Sequence, residues 1–176
     1  MPPEEKTPTL SEVAVRLSGT LLGLDPGDLA HLHHMVVAGP GEIAFWKIAT
    51  KHGLTRPDDK GLRLVKILAL LTPKGEPGHR RPFHDPKRPL GLALCDADLS
   101  EARLARFLAL PFDRRGDALE RMARRLAASR DFSGVDCRDI AHLLFSDDVK
   151  WPRKLAADYY RRLDAARPDS QKDDAA

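Results

Sequence analysis

The stretch Pro57-Asp-Asp-Lys-Gly-Leu-Arg-Leu-Val-Lys-Ile-Leu-Ala-Leu-Leu71 decides how this chain folds. Leu62, Leu64, Val65, Ile67, Leu68, Ala69, Leu70 and Leu71 cover most of a helical circumference. A helix that is apolar nearly all round is stable only inside other elements. The spacing therefore predicts a central, buried helix over about Pro57 to Leu71. Arg63 and Lys66 interrupt its apolar surface three residues apart.

Working outward, apolar residues recur three and four apart along the rest of the chain, and no run alternates with period two. The fold class read from this is all-α. Thr9 followed by Glu12 is a capping box, in which side chains and backbone satisfy each other's unpaired donors, and it opens a helix over Leu10 to Leu22. Asp25 and Pro26 open a second, to about Val37, because proline loses no hydrogen bond in a first turn. Gly39-Pro40-Gly41 breaks it, and Ile43 to about Gly53 forms a third helix rich in apolar residues.

Downstream of the central helix, Asp98-Leu-Ser-Glu101 reads as a second capping box opening a helix to about Leu110. Further helices are expected over about Asp113 to Ser129, Cys137 to Phe145 behind an Asp136 cap, and Pro152 to Ala166. The expectation is about eight helices in two small packed bundles, residues 1–72 and 98–167. Between them, residues 73–97 carry five prolines and three glycines and read as a connecting loop. Residues 168–176 are polar and acidic and read as a disordered tail.

The chain has 176 residues, which suits one domain or two small ones sharing a core. Its net charge is only +3. Divided by region the sum changes meaning: residues 1–59 hold 5 basic and 8 acidic groups, residues 60–167 hold 23 and 15, and residues 168–176 hold 1 and 3. The later helices are distinctly basic. On an ideal helix Arg114, Arg121 and Arg125 fall within about 20° of one line, beside the stripe of Leu119, Met122 and Leu126. Arg103 and Arg106 stand three apart on the preceding helix, so two neighbours can present one arginine-rich surface. Guanidinium suits phosphate, because its planar fork of donors matches phosphate oxygens and each neutralised phosphate releases counterions.

Other chemistries find less support. Cys95 and Cys137 have no metal-type spacing and no disulfide framework, and are expected reduced in the cytoplasm. No signal peptide or membrane span is evident. His31, His33 and His34 lack the partners of a metal site, and neither a metal nor a cofactor is expected. No glycine-rich phosphate cradle, nucleophile elbow or paired catalytic carboxylates appear, so the chain does not read as an enzyme. Phe45, Trp46, Trp151 and Tyr159 read as core, with Tyr160 outside it.

Several stretches in order resemble one family. Leu90-Gly-Leu-Ala-Leu94 is similar to a Leu-Gly-x-Ala-Leu stretch between two halves; Ser100-Glu-Ala-Arg-Leu-Ala-Arg-Phe-Leu108 and Arg121-Met-Ala-Arg-Arg-Leu126 resemble two arginine-bearing helices. Ile43-Ala-Phe-Trp-Lys-Ile48, Leu62-Arg-Leu-Val65, Val135 to Phe145, Trp151 and Asp158-Tyr-Tyr-Arg-Arg162 extend the match over roughly Gly41 to Asp164. The chain thus resembles the CasB proteins, small subunits of the type I-E CRISPR surveillance complex Cascade. That resemblance implies an all-helical, non-catalytic protein of antiviral defence, present as two copies beside the guide RNA and other Cascade subunits. There it would steady the target strand and the displaced strand of the R-loop by backbone contacts, since base pairing supplies sequence. Carried over residue by residue, the nucleic-acid contacts would be Arg63, Arg103, Arg106, Arg121, Arg124 and Arg125, with Lys66, Arg161 and Arg162 as weaker candidates.

A rival reading takes Cys137 to Phe145 and Pro152 to Ala166 as a helix-turn-helix of a sequence-specific DNA-binding regulator. Its second helix would open on Trp151-Pro152, a bulky start for a base-reading tip.

Overall fold

Local capping chemistry places several helices where the sequence puts them. In the structure, a computed structural model that describes residues 8–54 and 58–167, α1 spans Leu10–Leu22. The Thr9 hydroxyl accepts from the Glu12 amide and the Glu12 carboxylate accepts from the Thr9 amide at 2.7 Å, closing the capping box. The Asp25 carboxylate caps α2, Pro26–His34. This helix ends at His34, three residues before the expected Val37, because the Met35 backbone is no longer helical. α3 spans Ile43–Lys51, and Gly53, at φ +70, turns the chain out of it.

The central helix α4 is Asp59–Leu71, capped by Asp58; the expected start at Pro57 lies outside the described residues. Leu64, Val65, Leu68 and Ala69 are completely enclosed, and α4 touches α1, α2, α3, α7 and α8. Burial all round is what its composition demanded.

The connection 73–97 is not loop throughout. Residues Leu90–Asp96 form α5, which makes nine α-helices among the described residues where eight were expected. The prolines cluster before it, and Pro89 itself is the residue preceding the helix. Leu90's amide finds its cap in a distant side chain: it donates to the Asp139 carboxylate at 2.9 Å. The remainder of the connection is also packed. Phe83 is buried, the Val135 amide donates to its carbonyl, and the Asp85 amide donates to Val135's carbonyl. Arg80 is buried too, its guanidinium donating to the Leu22 and Leu24 carbonyls at 3.1 and 2.6 Å, so it closes the carboxyl end of α1.

The second predicted capping box is corrected. Ser100, not Asp98, caps α6, Glu101–Leu108, with its hydroxyl accepting from the Arg103 amide. Asp98 sits at φ +55, where it turns the chain between α5 and α6. α7 is Arg115–Ala128, entered through a short 3₁₀ turn at Phe112–Arg114, and α8 is Cys137–Phe145, capped by Asp136 as expected. α9, Lys150–Ala166, starts before Pro152. Proline is tolerated there because the first four amides of a helix have no partner within it.

The fold is therefore all-α, and the two halves share a core. α1 packs on α8, α4 on α7, and α5 on α9. α5 and α9 approach closely, because Gly91 lies against the Leu155 carbonyl and the Tyr159 amide with no side chain between. Trp46, expected inside, is 40% exposed, with its indole N–H donating to the Pro40 carbonyl; Phe45 and Tyr159 are buried, and Tyr160 is exposed as expected. No helix among the described residues is long and apolar enough to cross a membrane. The acidic tail 168–176 lies outside the described residues.

Candidate nucleic-acid interface

Residues of the two arginine-bearing helices line one groove. α6 buries Leu104 and Phe107 and holds Arg103 and Arg106 in solvent. α7 buries Ala118, Leu119, Met122 and Leu126 and exposes Arg121. Both patterns follow from helical spacing, since residues three or four apart share a face. The groove measures about 560 Å³. Its floor is apolar, with Phe107, Leu110 and Met122, and its rim carries Arg103, Arg106, Arg121 and Arg125.

The rim arginines differ in what they already hold. Arg103, Arg106 and Arg121 have no carboxylate within ion-pair distance among the described residues, and all three are exposed. Arg125 is half-buried and bound: Nε donates to the Ala97 carbonyl at 2.9 Å and Nη2 to the Asp98 carbonyl. It clamps α7 to the turn between α5 and α6, and so sets the width of the groove.

The other sequence candidates lie elsewhere. Arg63 reaches Asp117 at 2.7 Å and Glu120 at 3.1 Å, Lys66 reaches Glu120 at 3.0 Å, and Arg124 reaches Glu120 at 2.9 Å. Glu120 is thus the acid around which α4 and α7 are joined. Burial opposes its ionisation, but hydrogen bonds and charge from Arg124 and Lys66 outweigh burial and hold its carboxyl below the usual range. Arg63 and Lys66 are only 18% and 12% exposed and act as inward links; Arg124, 52% exposed, retains an open side. Arg161 pairs with Asp158 at 3.0 Å, and Arg162 with Asp96 at 2.6 Å, on α9.

Spacing on a helix identifies which arginines share a face. It does not say which share that face with an acid from another helix. The Glu120–Arg124 pair, four apart, was visible in the sequence; the ties from Arg63 and Lys66 to Glu120 cross between helices and were not.

Chemically, the rim offers planar donor forks at three free positions, and the floor offers apolar surface without a donor or acceptor. That combination is chemically suited to phosphate oxygens beside sugar or base faces. The helix-turn-helix arrangement of α8 and α9 presents a different surface. The Trp151 ring stacks on His142 with centroids 3.7 Å apart, Pro152 is buried, and the Lys154 ammonium lies 2.9 Å from both Asp139 and Asp158. Three of the first five residues of α9 are thereby turned toward the protein.

Among the described residues no group of three or more His, Cys, Asp or Glu is placed to hold a metal. His33 Nε2–H donates to the Ala69 carbonyl at 2.8 Å across to α4, and so belongs to the packing of α2. None of the protein-family models, curated proteins or solved structures compared with the chain matches it.

Proposed function

We propose that this protein binds nucleic-acid backbone without sequence specificity, as a non-catalytic small subunit of a type I-E CRISPR Cascade ribonucleoprotein acting in the cytoplasm. One observation carries the reading: three exposed arginines without acidic partners, Arg103, Arg106 and Arg121, ring one apolar-floored groove between α6 and α7. Arg63 and Arg124 already pair with acids and Arg125 is bonded to backbone carbonyls, so these three are the ones that gain most by meeting an anion. In the assembly the groove would steady the guide RNA, the target strand or the displaced strand, with two copies beside other subunits. The CasB resemblance supplies that setting; the groove supplies the contact chemistry.

The geometry sharpens the residue assignment. In this reading Arg103, Arg106 and Arg121 are assigned as the contacts, with Arg124 and Arg125 beside them, because the first three are exposed and have no acidic partner among the described residues. Arg63 and Lys66 hold α4 against α7 beneath the surface.

The test is binding of fluorescent oligonucleotides of unrelated sequence, titrated at several salt concentrations. Replacing Arg103, Arg106 and Arg121 by alanine is expected to weaken all sequences alike and to lower the salt slope by roughly 2 to 3, at about 0.7–0.9 per lost phosphate contact. Arg63→Ala is expected to lower stability more than it changes that slope. A slope unchanged in the triple variant, or a preference of ~10³ for one duplex, would refute the proposal, the second result favouring a regulator.

A further inference from the structure

Residues 1–59 sum to an excess of acid, 8 acidic groups against 5 basic, yet one surface they form carries the opposite charge. Where the carboxyl ends of α1 and α3 meet there is an open cleft of about 590 Å³. Its lining includes Arg16 and Thr20 from α1 and Lys51 and His52 from the end of α3, with Gly19 and Gly23 leaving its floor bare of side chains. No acid lines it among the described residues. Neither Arg16 nor Lys51 has a carboxylate within ion-pair distance among them, and both are exposed.

We propose that Arg16, Thr20, Lys51 and His52 form a binding site for a phosphoryl group, separate from the α6–α7 groove. The Thr20 hydroxyl and the His52 Nε2 lie 2.8 Å apart, so the imidazole is held at the cleft wall rather than free to swing away. Burial pushes the His52 pKa below its ordinary value, and the Lys51 and Arg16 charges push the same way, which places all three basic groups in one field. Like charges gathered without an acid repel, and an anion between them removes that penalty. A phosphoryl group matches the donor set, since it offers several oxygens to one guanidinium, one ammonium and one hydroxyl.

A basic pair at a helix carboxyl end often serves only to balance the helix dipole. Here α1 needs no such service, because buried Arg80 already donates to the Leu21 and Leu22 carbonyls at its end. Arg16 also lies near the middle of α1, away from the last turn.

The experiment is an amide and imidazole NMR titration of the full chain with inorganic phosphate, with chloride at matched ionic strength as control. Saturable shifts at Gly19, Thr20, Gly23, Lys51 and His52 with phosphate alone are expected, together with a rise in the His52 pKa, since a bound anion favours imidazolium. The Arg16→Gln, Lys51→Gln double variant should keep the wild-type melting temperature and bind phosphate about tenfold more weakly or worse. Equal shifts with chloride, or undiminished phosphate binding by the double variant, would overturn the proposal. A parallel titration with an oligothymidylate lacking terminal phosphates separates two sources of the same chemistry: shifts at these amides assign the site to a nucleic-acid backbone, and their absence alongside a phosphate response assigns it to small phosphate compounds. The slope change on replacing Arg103, Arg106 and Arg121 is read with Arg16 and Lys51 intact, and the phosphate titration with the three groove arginines intact, so the two readings fail separately.

Discussion

Gly91→Ala is the sharpest test of the packing, because local and tertiary effects predict opposite signs. Gly91 is the second residue of α5. On propensity alone, alanine in a helix is better than glycine by about 0.5–1 kcal/mol. The tertiary environment reverses this. A Cβ at residue 91 would overlap the Leu155 carbonyl oxygen and stand 2.7 Å from the Tyr159 amide nitrogen and 3.0 Å from the Asp158 Cβ. Two of these are backbone atoms of α9, which no rotamer change can remove. Relief requires α9 to retreat by roughly 1 Å, and a gap of that size forfeits a quarter to a half of the dispersion attraction across the interface. Leu90, Ala93, Leu94, Leu155 and Tyr159 are all buried nearby and share that loss. Overpacking usually costs about 1–3 kcal/mol, and an immovable neighbour places this case near the top, so a net loss of about 3 kcal/mol is expected. For a chain of this length that lowers the melting temperature by roughly 6–12 °C in a calorimetric scan. Two further variants calibrate the reasoning. In Gly116→Ala the new Cβ meets only Arg63, at 2.5 Å from Cδ, a side chain that can move at the expense of its ties to Asp117 and Glu120; Gly19→Ala meets nothing within 4 Å. The expected order of stability is Gly19→Ala above wild type, Gly116→Ala below it and Gly91→Ala lowest. A Gly91→Ala protein melting at or above the wild type would refute the close approach of α5 and α9.

Arg80→Met retains the buried stem but leaves the Leu22 and Leu24 carbonyls without their donor, and is expected to cost about 2–4 kcal/mol in urea unfolding; a loss under about 0.5 kcal/mol would remove Arg80 as the closing group of α1. Stability should fall in two stages on acidification. Burial lowers the pKa of His33, His84 and His142, so the unfolded chain takes up protons first as pH drops through about 6.5, and the native state loses stability from there. Asp136 and Glu120, whose carboxyls are held low against burial by Arg138 and by Arg124 with Lys66, contribute stability above the ordinary carboxylate range that is lost as pH falls below it. Glu120→Gln should flatten the second stage in denaturant midpoints measured from pH 7 to 3, and an unaltered second stage would contradict the ionic centre. Burial raises the Cys137 thiol far above its ordinary pKa and raises Cys95, which is only half-buried, as well. Alkylation followed by mass spectrometry should modify Cys95 first and Cys137 only after unfolding; early Cys137 modification would contradict its enclosure.

Three residues often suffice to specify a helix end, which is why α1 and α8 start where the sequence places them. Thr9 with Glu12, and Asp136 with Arg138, make their bonds within a few positions, so the bonds exist wherever the helix is docked. The central position of α4 was equally legible, because its apolar surface leaves no face for water. The misplaced features have separate causes. α5 was hidden behind prolines because its capping carboxylate, Asp139, lies 49 positions away. Ser100 took the cap from Asp98 because the α5–α6 turn holds Asp98 at positive φ. Trp46 was assigned to the core by residue type, while its indole N–H is satisfied at the surface by Pro40.

The candidate interface divides in the same way. The sequence by itself determined that the chain is helical, that α4 is enclosed, and that α6 and α7 each carry arginines on one face, all consequences of spacing along a helix. Tertiary structure alone decided which arginines are free. Arg63, Lys66 and Arg124 converge on Glu120, Arg80 turns inward onto the end of α1, and Arg103, Arg106 and Arg121 remain around a groove. It also gathered Arg16, Lys51 and His52 within residues 1–59, a stretch whose charge sums to −3. The physical reason is range. Hydrogen bonding and periodicity act along the chain, whereas the partner that neutralises a charge is set by distance in space, and a long basic side chain accepts whichever acid the fold brings near.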